Sequence, residues 1–139
     1  MFKNILLAAD GSEYSLRAAE KANYLAKLSE DAKVTIVYVV DGSTSKADVL
    51  RHWDALDIER NRKNKLIAIE ESAKEANVQY EVMIVHGEPG PEIIKVANEN
   101  EFDLVVIGSR GLNKLQEMVL GRVSHKVAKR VSCPVMIVK

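Results

Sequence analysis

Five short apolar runs constrain the fold of this chain more than any other feature of its sequence. They are rich in β-branched residues, are continuous rather than alternating, and are bounded by Gly, Pro, Asp or Asn. The runs cover residues 5–9, 34–40, 82–85, 104–107 and 135–138. Strands of this kind are covered on both faces, so the pattern predicts a parallel sheet between two layers of helices.

Segments with apolar residues at helical spacing lie between these runs. Asp10 or Ser12 can cap the first segment, and Pro91 stands near the start of the third. These segments cover residues 13–29, 55–76, 91–100 and 123–131. An irregular connection rich in Gly, Ser and Thr is predicted over 41–54. The alternation predicts a single doubly wound α/β domain over residues 1–139, with a five-stranded parallel sheet in the order 3-2-1-4-5 flanked by four helices.

Composition narrows the partners and the compartment that we expect. The 139 residues carry 20 basic and 20 acidic side chains, so no overall field attracts nucleic acid or an anionic membrane. No apolar stretch approaches the roughly 18 residues of a membrane span, and the first residues do not form a signal peptide. The single cysteine, Cys133, is expected to pack as a small apolar side chain. We therefore expect a cytoplasmic protein that binds neither nucleic acid nor membrane.

A glycine-rich, basic segment follows the fourth run. Gly108 and Gly111 stand at its start, and Gly121 precedes the last helical segment, where Ser124 can donate its hydroxyl. From 108 to 130, six basic residues stand against a single acidic one, although the whole chain is neutral. Two interpretations fit this pattern. Either backbone N–H groups and the helix dipole hold an anion here, or the glycines make ordinary turns on a solvated basic helix.

The ends of the first two runs provide further candidate residues. In a sheet of order 3-2-1-4-5 the strand order reverses beside the first strand, and ligands of such sheets bind at that point. Asp10 ends the first strand and can bind Mg²⁺ or a ribose hydroxyl, or simply cap the following helix. Val39, in the second strand, can pair with an adenine edge through its backbone amide and carbonyl, or only pack in the core. The residues alone leave these alternatives open.

Catalytic groups do not stand out in this sequence. It contains neither G-x-x-x-x-G-K-(S/T) nor G-x-G-x-x-G. His52, His86 and His125 do not combine with a serine or cysteine in a recognisable nucleophile arrangement. No general base or water-positioning group is evident. We predict no catalytic residue and at most slow hydrolysis of ATP.

Taken together, these motifs resemble the universal stress protein family over the whole chain. The spacing Gly108-x₂-Gly111-x₉-Gly121 is similar to the motif of its ATP-binding class, G-2x-G-9x-G-(S/T). Further similar stretches are ILLAADGS, VYVVD, HGEPGPEII, DLVVIGSRG and SCPVMIVK. The resemblance implies a protein that binds ATP, or ADP or AMP, with or without Mg²⁺. It also implies a homodimer in which the last strands, Val135–Val138, pair across a two-fold axis.

The resemblance also implies roles for individual residues. Ala8, Ala9 and Asp10 would line the ribose and phosphates, and Val39 would bind adenine through its backbone. The phosphates would be surrounded by Gly108, Arg110, Gly111, Gly121, Val123 and Ser124. Arg122 departs from the motif, which has Ser or Thr directly after the last glycine. This cation either binds phosphate oxygens or fills the space of the terminal phosphate and favours a nucleotide with fewer phosphates.

Three functions are compatible with this sequence. The first is an ATP-binding regulatory or interaction protein of the stress response, and its link to stress rests on the resemblance. The second is an interaction module that needs no nucleotide, in which the basic helix 123–131 meets an acidic partner. The third is a slow nucleotide-hydrolysing enzyme. Nucleotide binding, partner binding and turnover, measured separately, distinguish the three.

Overall fold

The computed structural model of the chain describes residues 2–40, 55–110 and 121–139. The connection predicted over 41–54 and the predicted site residue Gly111 lie outside the described residues. The strands are β1 (Asn4–Ala9), β2 (Lys33–Val40), β3 (Gln79–His86), β4 (Leu104–Gly108) and β5 (Val135–Val138). The described helices are α1 (Glu13–Ala26), α2 (Ala55–Glu75), α3 (Pro89–Glu99) and α4 (Arg122–Arg130). Among these, no helix combines the length and the apolar character that crossing a membrane requires.

The strands form one parallel sheet in the order β3-β2-β1-β4-β5, as the sequence predicts. Strand β1 is central, and its Ile5 pairs with Val34 of β2 and with Leu104 of β4. Since β2 and β3 lie on one side of β1 and β4 and β5 on the other, the strand order reverses beside β1. The predicted doubly wound α/β class, with four helices in the described residues, is confirmed.

Both faces of the sheet are covered by helices, which explains why the apolar runs do not alternate with polar residues. Along β1, Ile5 and Leu7 pack on one face, whereas Leu6 and Ala8 pack on the other. The first face is covered from α1 and α2 by Ala18, Ala19, Ala22, Ala26, Leu66 and Ile69. The second face is covered from α3, α4 and the residue after α4 by Ile93, Val96, Ala97, Val127 and Val131.

Helix α1 approaches the sheet closely because small residues lie on both sides of the contact. Of the two predicted caps, Ser12 occupies the N-cap position, and its side chain accepts a hydrogen bond from the Ser15 N–H at 3.2 Å. Gly108 of β4 lies beneath the first turn of α1, since a Cβ at this position would stand 2.7 Å from the Cβ of Tyr14. No side chain fits there, so this packing requires glycine.

Two element boundaries differ from the sequence prediction. Strand β3 begins at Gln79 rather than at residue 82, because it pairs with β2 from Lys33 onward. Its first half carries exposed polar residues, and Glu81 forms an ion pair of 3.3 Å with Lys33, so the apolar pattern is lost there. Helix α3 begins at Pro89 rather than near Pro91, which is compatible with proline because the first helical N–H groups have no intrahelical partner.

Candidate functional site

Strands β1 and β4 stop pairing before they end. Their pairing ends at Leu7↔Val106, although β1 continues to Ala9 and β4 to Gly108. From these ends the chain leads into α1, which covers one face of the sheet, and into α4, which covers the other. We call the region beyond Ala9 and Gly108 the crevice. Ligands of open α/β sheets bind where the strand order reverses, and the structure has this reversal beside β1, as the sequence predicts.

The start of α4 is attached to the end of β4 through one carbonyl group. Gly121 is the N-cap of α4, and its N–H donates to the Ser109 carbonyl at 2.6 Å. The Ser124 hydroxyl donates to the same oxygen at 2.8 Å. Ser109 is in turn held by β5, because its N–H donates to the Val138 carbonyl at 2.7 Å. The sheet therefore fixes the start of α4 at the crevice.

The first turn of α4 has no negative group of its own. Gly121 provides no side-chain cap, and no acidic residue occurs in this turn. Arg122, the first residue of the helix, is exposed, and Val123 is half-buried. Free N–H groups give a helix start a partial positive charge, to which the guanidinium adds a full one. The arrangement favours an anion such as a phosphate group.

Ser124 links the end of β4 to the start of α4 through its hydroxyl group. Its side chain is only 2 % exposed, and the carbonyl of Gly121 accepts from its hydroxyl at 3.1 Å in addition to that of Ser109. A hydroxyl has a single hydrogen to donate, and here both acceptors belong to the protein. To donate to a phosphate, Ser124 must first rotate away from this junction. Its predicted contact with phosphate stays a prediction.

Neither Gly108 nor Gly121 has a positive φ, so space and not an unusual backbone conformation is what could favour glycine there. Gly108 makes room for Tyr14, as described above. A Cβ on Gly121 would lie 3.2 Å from the Ser109 carbonyl oxygen and 3.3 Å from the Cα of Arg110. Packing thus explains Gly108, whereas an added Cβ at Gly121 would require its neighbours to shift by a few tenths of an ångström. The predicted contacts of both glycines with phosphate remain predictions.

Asp10, at the end of β1, belongs to a closed ring of three hydrogen bonds. The Ser12 N–H donates to Asp10 Oδ1 at 2.9 Å, and the Asp10 N–H donates to Ser15 Oγ at 3.2 Å. The Ser15 N–H completes the ring by donating to Ser12 Oγ at 3.2 Å. Gly11, with a φ of 83°, turns the chain within it. We call Asp10, Ser12 and Ser15 the strand-end ring; it uses Oδ1 of Asp10 for the start of α1.

Val39 lies where β2 extends past its β1 partner. The β1–β2 pairing ends at Ala9↔Tyr38, whereas β2 continues to Val40. The Val40 carbonyl accepts from the Gly87 N–H on the β3 side at 3.0 Å. Because successive residues of a strand direct their backbone groups to opposite sides, the Val39 carbonyl faces the β1 side. That direction is the one that the predicted backbone contact with adenine requires.

Two residues that shape the crevice, Ser109 and Ser15, carry no sequence motif. Ser109 acts through its backbone, which any residue type provides. Ser15 stands at the third helical position, where the usual partner of a serine N-cap is Glu or Gln. The spacing of Ser12 and Ser15 is the only signal in the sequence, and it becomes informative only with the turn at Gly11.

Metal and thiol chemistry find little support among the described residues. Within them, no three His, Cys, Asp or Glu side chains lie close enough to hold a metal ion. His86 and His125 are exposed, and His52 lies outside the described residues. Cys133 packs half-buried at the second face of the sheet, and this burial raises the pKa of its thiol. A raised pKa disfavours the reactive thiolate, in agreement with the predicted packing role.

Known proteins share this architecture over the whole chain. A model of the universal stress protein family matches residues 1–139. The chain is 38% identical to universal stress protein YxiE of Bacillus subtilis over 151 residues, covering 100% of both chains. It is similar to the solved structure of hypothetical protein MJ0577, with a TM-score of 0.83 and 28% identity over 100% of this chain and 96% of that one. A universal stress protein solved in complex with cAMP gives a TM-score of 0.72 and 27% identity, covering 99% of this chain and 96% of that one.

The five-stranded parallel sheet, with its strand order reversing beside β1, defines a doubly wound α/β protein. Within that class, the chain belongs to the universal stress protein family. This assignment rests on the family match over residues 1–139 and on the full-length relative above 30% identity.

Proposed function

We propose that this chain, acting as one domain in the cytoplasm, binds an adenine nucleotide in the crevice, with ATP as the first candidate. Occupancy of the site would regulate its interactions during stress. One observation carries the proposal: the start of α4, without an acidic residue or a side-chain cap, is fixed beside the end of β4 where the strand order reverses. Family membership supplies the link to stress.

The phosphate groups are proposed to lie against the first turn of α4. Ser109 already occupies the N–H of Gly121, so the N–H groups of the next residues are left for phosphate oxygens. The Arg122 guanidinium adds donors that suit such oxygens in pairs. Arg110, Gly111, Gly108, Val123 and Ser124 complete this part of the proposed site.

The nucleoside is proposed to lie across the ends of β1 and β2. The backbone of Val39 would bind adenine, and the Asp10 carboxylate would accept from a ribose hydroxyl. Ala8 and Ala9, each 7 % exposed, would contribute backbone atoms. The relative that was solved with cAMP holds a ligand that contains adenine, ribose and phosphate, which supports this class of ligand.

Mg²⁺ fits this proposal only as a partner of the nucleotide. Proteins usually hold Mg²⁺ by one or two carboxylates together with phosphate oxygens and water. Asp10 is the carboxylate available, and since its Oδ1 accepts from Ser12, the other oxygen would be the ligand. Among the described residues of the site no general base is evident, so we expect ATP turnover to be slow and propose binding as the function.

Isothermal titration calorimetry with ATP, ADP and AMP, each with Mg²⁺, tests the proposal on protein stripped of nucleotide. We expect ATP to bind, and Arg122→Glu to weaken its binding about tenfold or more, because a charge-assisted contact becomes a repulsive one. Lys129→Glu is the matched control, since it makes the same charge change at an exposed position in the last turn of α4. This control should bind ATP nearly as well as the wild type.

The outcomes of this titration separate the alternatives for Arg122. Tighter binding of ATP than of AMP would make Arg122 a ligand of the terminal phosphates. Tighter binding of AMP would mean that its side chain fills their space. Absence of binding for all three nucleotides would refute the proposal, and equal losses in the two variants would assign the effect to overall charge.

The charge of α4 supports a second candidate function, which is binding of an acidic partner without nucleotide. The helix carries Arg122, Lys126, Lys129 and Arg130 but no acidic residue. Here Lys129→Glu combined with Arg130→Glu would weaken partner binding and leave nucleotide binding unchanged. The first proposal expects partner binding to depend on nucleotide, and the second expects no such dependence.

We further propose a homodimer through β5. This strand is an edge of the sheet, and Val135, Met136 and Ile137 are half-buried. An apolar edge with unpaired backbone groups tends to pair with another strand. Analytical ultracentrifugation should find a dimer that Ile137→Lys converts to monomer. A wild-type monomer at every concentration would exclude this assembly.

A further inference from the structure

We propose that Ser15 is a positioning residue for the nucleotide site and acts through the carboxylate of Asp10. This inference rests on the proposed nucleotide binding and extends it to a residue that no motif includes. The relevant feature is the strand-end ring, in which Asp10, Ser12 and Ser15 each donate one backbone N–H and accept one.

The ring does more than capping of α1 requires. A helix with a serine N-cap needs only the bond from the third helical N–H to the serine side chain, which Ser15 and Ser12 supply. In the usual reciprocal cap, the side chain at the third position accepts from the N-cap N–H. Here Ser15 Oγ instead accepts from Asp10, and the Asp10 carboxylate takes the N-cap N–H. The cap is thus extended back to the end of β1.

This extension holds Asp10 at both its backbone and its side chain. The backbone N–H is bound by Ser15 Oγ and Oδ1 is bound to Ser12 N–H, so rotation about the bonds between them is restricted. Ser15 is 3 % exposed and Ser12 is 5 % exposed, whereas Asp10 is half-buried at the crevice. The two buried serines therefore orient a carboxylate that a ligand can reach.

Orientation of this kind strengthens binding without a contact of its own. A carboxylate that is already held in place loses less conformational freedom when a ligand binds. When the Ser15 hydroxyl is removed, the Asp10 N–H loses its acceptor and the Asp10 carboxylate is held less firmly. Nucleotide affinity should fall although Ser15 does not touch the nucleotide.

A double-mutant cycle measured by titration with ATP tests this inference. Ser15→Ala should weaken ATP binding about fivefold, the equivalent of one typical hydrogen bond. In protein that carries Asp10→Ala, the same Ser15→Ala change should have no further effect, because no carboxylate is left to position. Alanine is the best helix former, so the variant is expected to fold, and circular dichroism would verify it.

Ser72→Ala is the matched control for the loss of a hydroxyl. Ser72 Oγ, on α2, accepts a hydrogen bond of 3.0 Å from Asn23 Nδ2 of α1 and lies in the same helical layer. This variant also loses one accepted hydrogen bond, so its stability should fall by a similar amount while its ATP affinity stays unchanged. A purely structural role of Ser15 predicts the same result for Ser15→Ala.

The outcomes distinguish failure of the positioning role from failure of nucleotide binding. Wild-type affinity in Ser15→Ala, or a full fivefold loss that persists beside Asp10→Ala, overturns the positioning role while nucleotide binding stands. Absence of ATP binding in the wild type overturns the proposed function and the positioning role with it. A loss in Ser15→Ala that Asp10→Ala abolishes supports both.

Discussion

Two helices begin at the crevice, and their starts are completed in opposite ways. Helix α1 is capped by the Ser12 side chain, is supported by the strand-end ring, and has Glu13 as its first residue. Helix α4 is capped by Gly121 without any side-chain bond and has Arg122 as its first residue. The first helix start has a side-chain cap and an acidic residue in its first turn, and the second has neither.

Under the proposed function, this difference separates a helix start that contributes to stability from one that contributes to nucleotide binding. A capping side chain and an acidic first turn each stabilise a helix, and α4 has neither. Among the described residues, α4 is instead held in place by backbone and hydroxyl contacts to Ser109. Substitutions at the two helix starts should therefore affect stability and affinity in different proportions.

The largest effect is expected from Gly108→Ala, which forces the start of α1 away from the sheet. The new Cβ would lie 2.7 Å from the Cβ of Tyr14 and 2.9 Å from its carbonyl carbon, so backbone must move. We expect a loss of about 2–3 kcal/mol in the free energy of unfolding, measured in urea. Gly90→Ala is the control, since its new Cβ would mainly meet the flexible end of Lys126 at 3.3 Å. Equal stability of the two variants would contradict the packing explanation.

A smaller loss is expected when α1 loses its cap. Ser12→Ala removes the acceptor of the Ser15 N–H and should lower the free energy of unfolding by about 1 kcal/mol. Urea unfolding of the nucleotide-free protein measures this change. A stability equal to that of the wild type would mean that the other bonds of the ring support the helix start without the cap.

Arg122→Glu makes the start of α4 resemble that of α1. A carboxylate near a helix start interacts favourably with the dipole, so the nucleotide-free variant should gain about 0.3–1 kcal/mol of stability. Its thermal stabilisation by ATP should shrink in the same experiment, because the new charge repels phosphate. Thermal unfolding with and without ATP measures both effects. A loss of stability together with unchanged ATP response would remove the distinction between the two helix starts.

The smallest effect concerns the opposite end of the sheet. The N–H groups of Asn4 and Lys3 donate to Asp103 Oδ2, each at 2.9 Å, and these bonds hold the pKa of the carboxyl below its usual value near 3.8. A lowered pKa stabilises the fold above the usual pKa, and this contribution is lost as the pH falls through the value of the folded state. Between about pH 5 and pH 3 the wild type should lose more stability than Asp103→Asn. Parallel pH profiles would contradict this, and exposure of Asp103 keeps the difference small.

The fold could be predicted from the sequence because its main signals are local and repeated. Each buried strand is a continuous apolar run, and the alternation with helices leaves few topologies. Strand β3 is longer than the sequence predicts. Its first half is exposed at the sheet edge and carries polar residues such as Glu81, so the apolar run covers only its second half. An apolar run marks only the buried part of a strand, so the predicted strand is too short wherever the real one is exposed to water.

The candidate site could be predicted only in part. Asp10, Gly108 and Gly121 are recognisable because an acidic residue or a glycine stands out at the end of an apolar run or before a helix. Ser109 contributes a carbonyl group, and Ser15 contributes an acceptor to a residue five positions earlier, so neither leaves a readable pattern. These residues do not predict which ligand binds, since the same positive helix start suits any phosphate group.

The bond from Gly121 to Ser109 also bears on chain closure. Since the N–H of Gly121 meets the Ser109 carbonyl at 2.6 Å, the residues between them start and finish at nearly the same place. In a flexible loop, doubling the number of residues costs only about 0.6 kcal/mol in closure entropy. The sheet and helices thus set where this segment starts and finishes but hardly how long it is. Closure entropy alone therefore does not set the spacing of nine residues between Gly111 and Gly121.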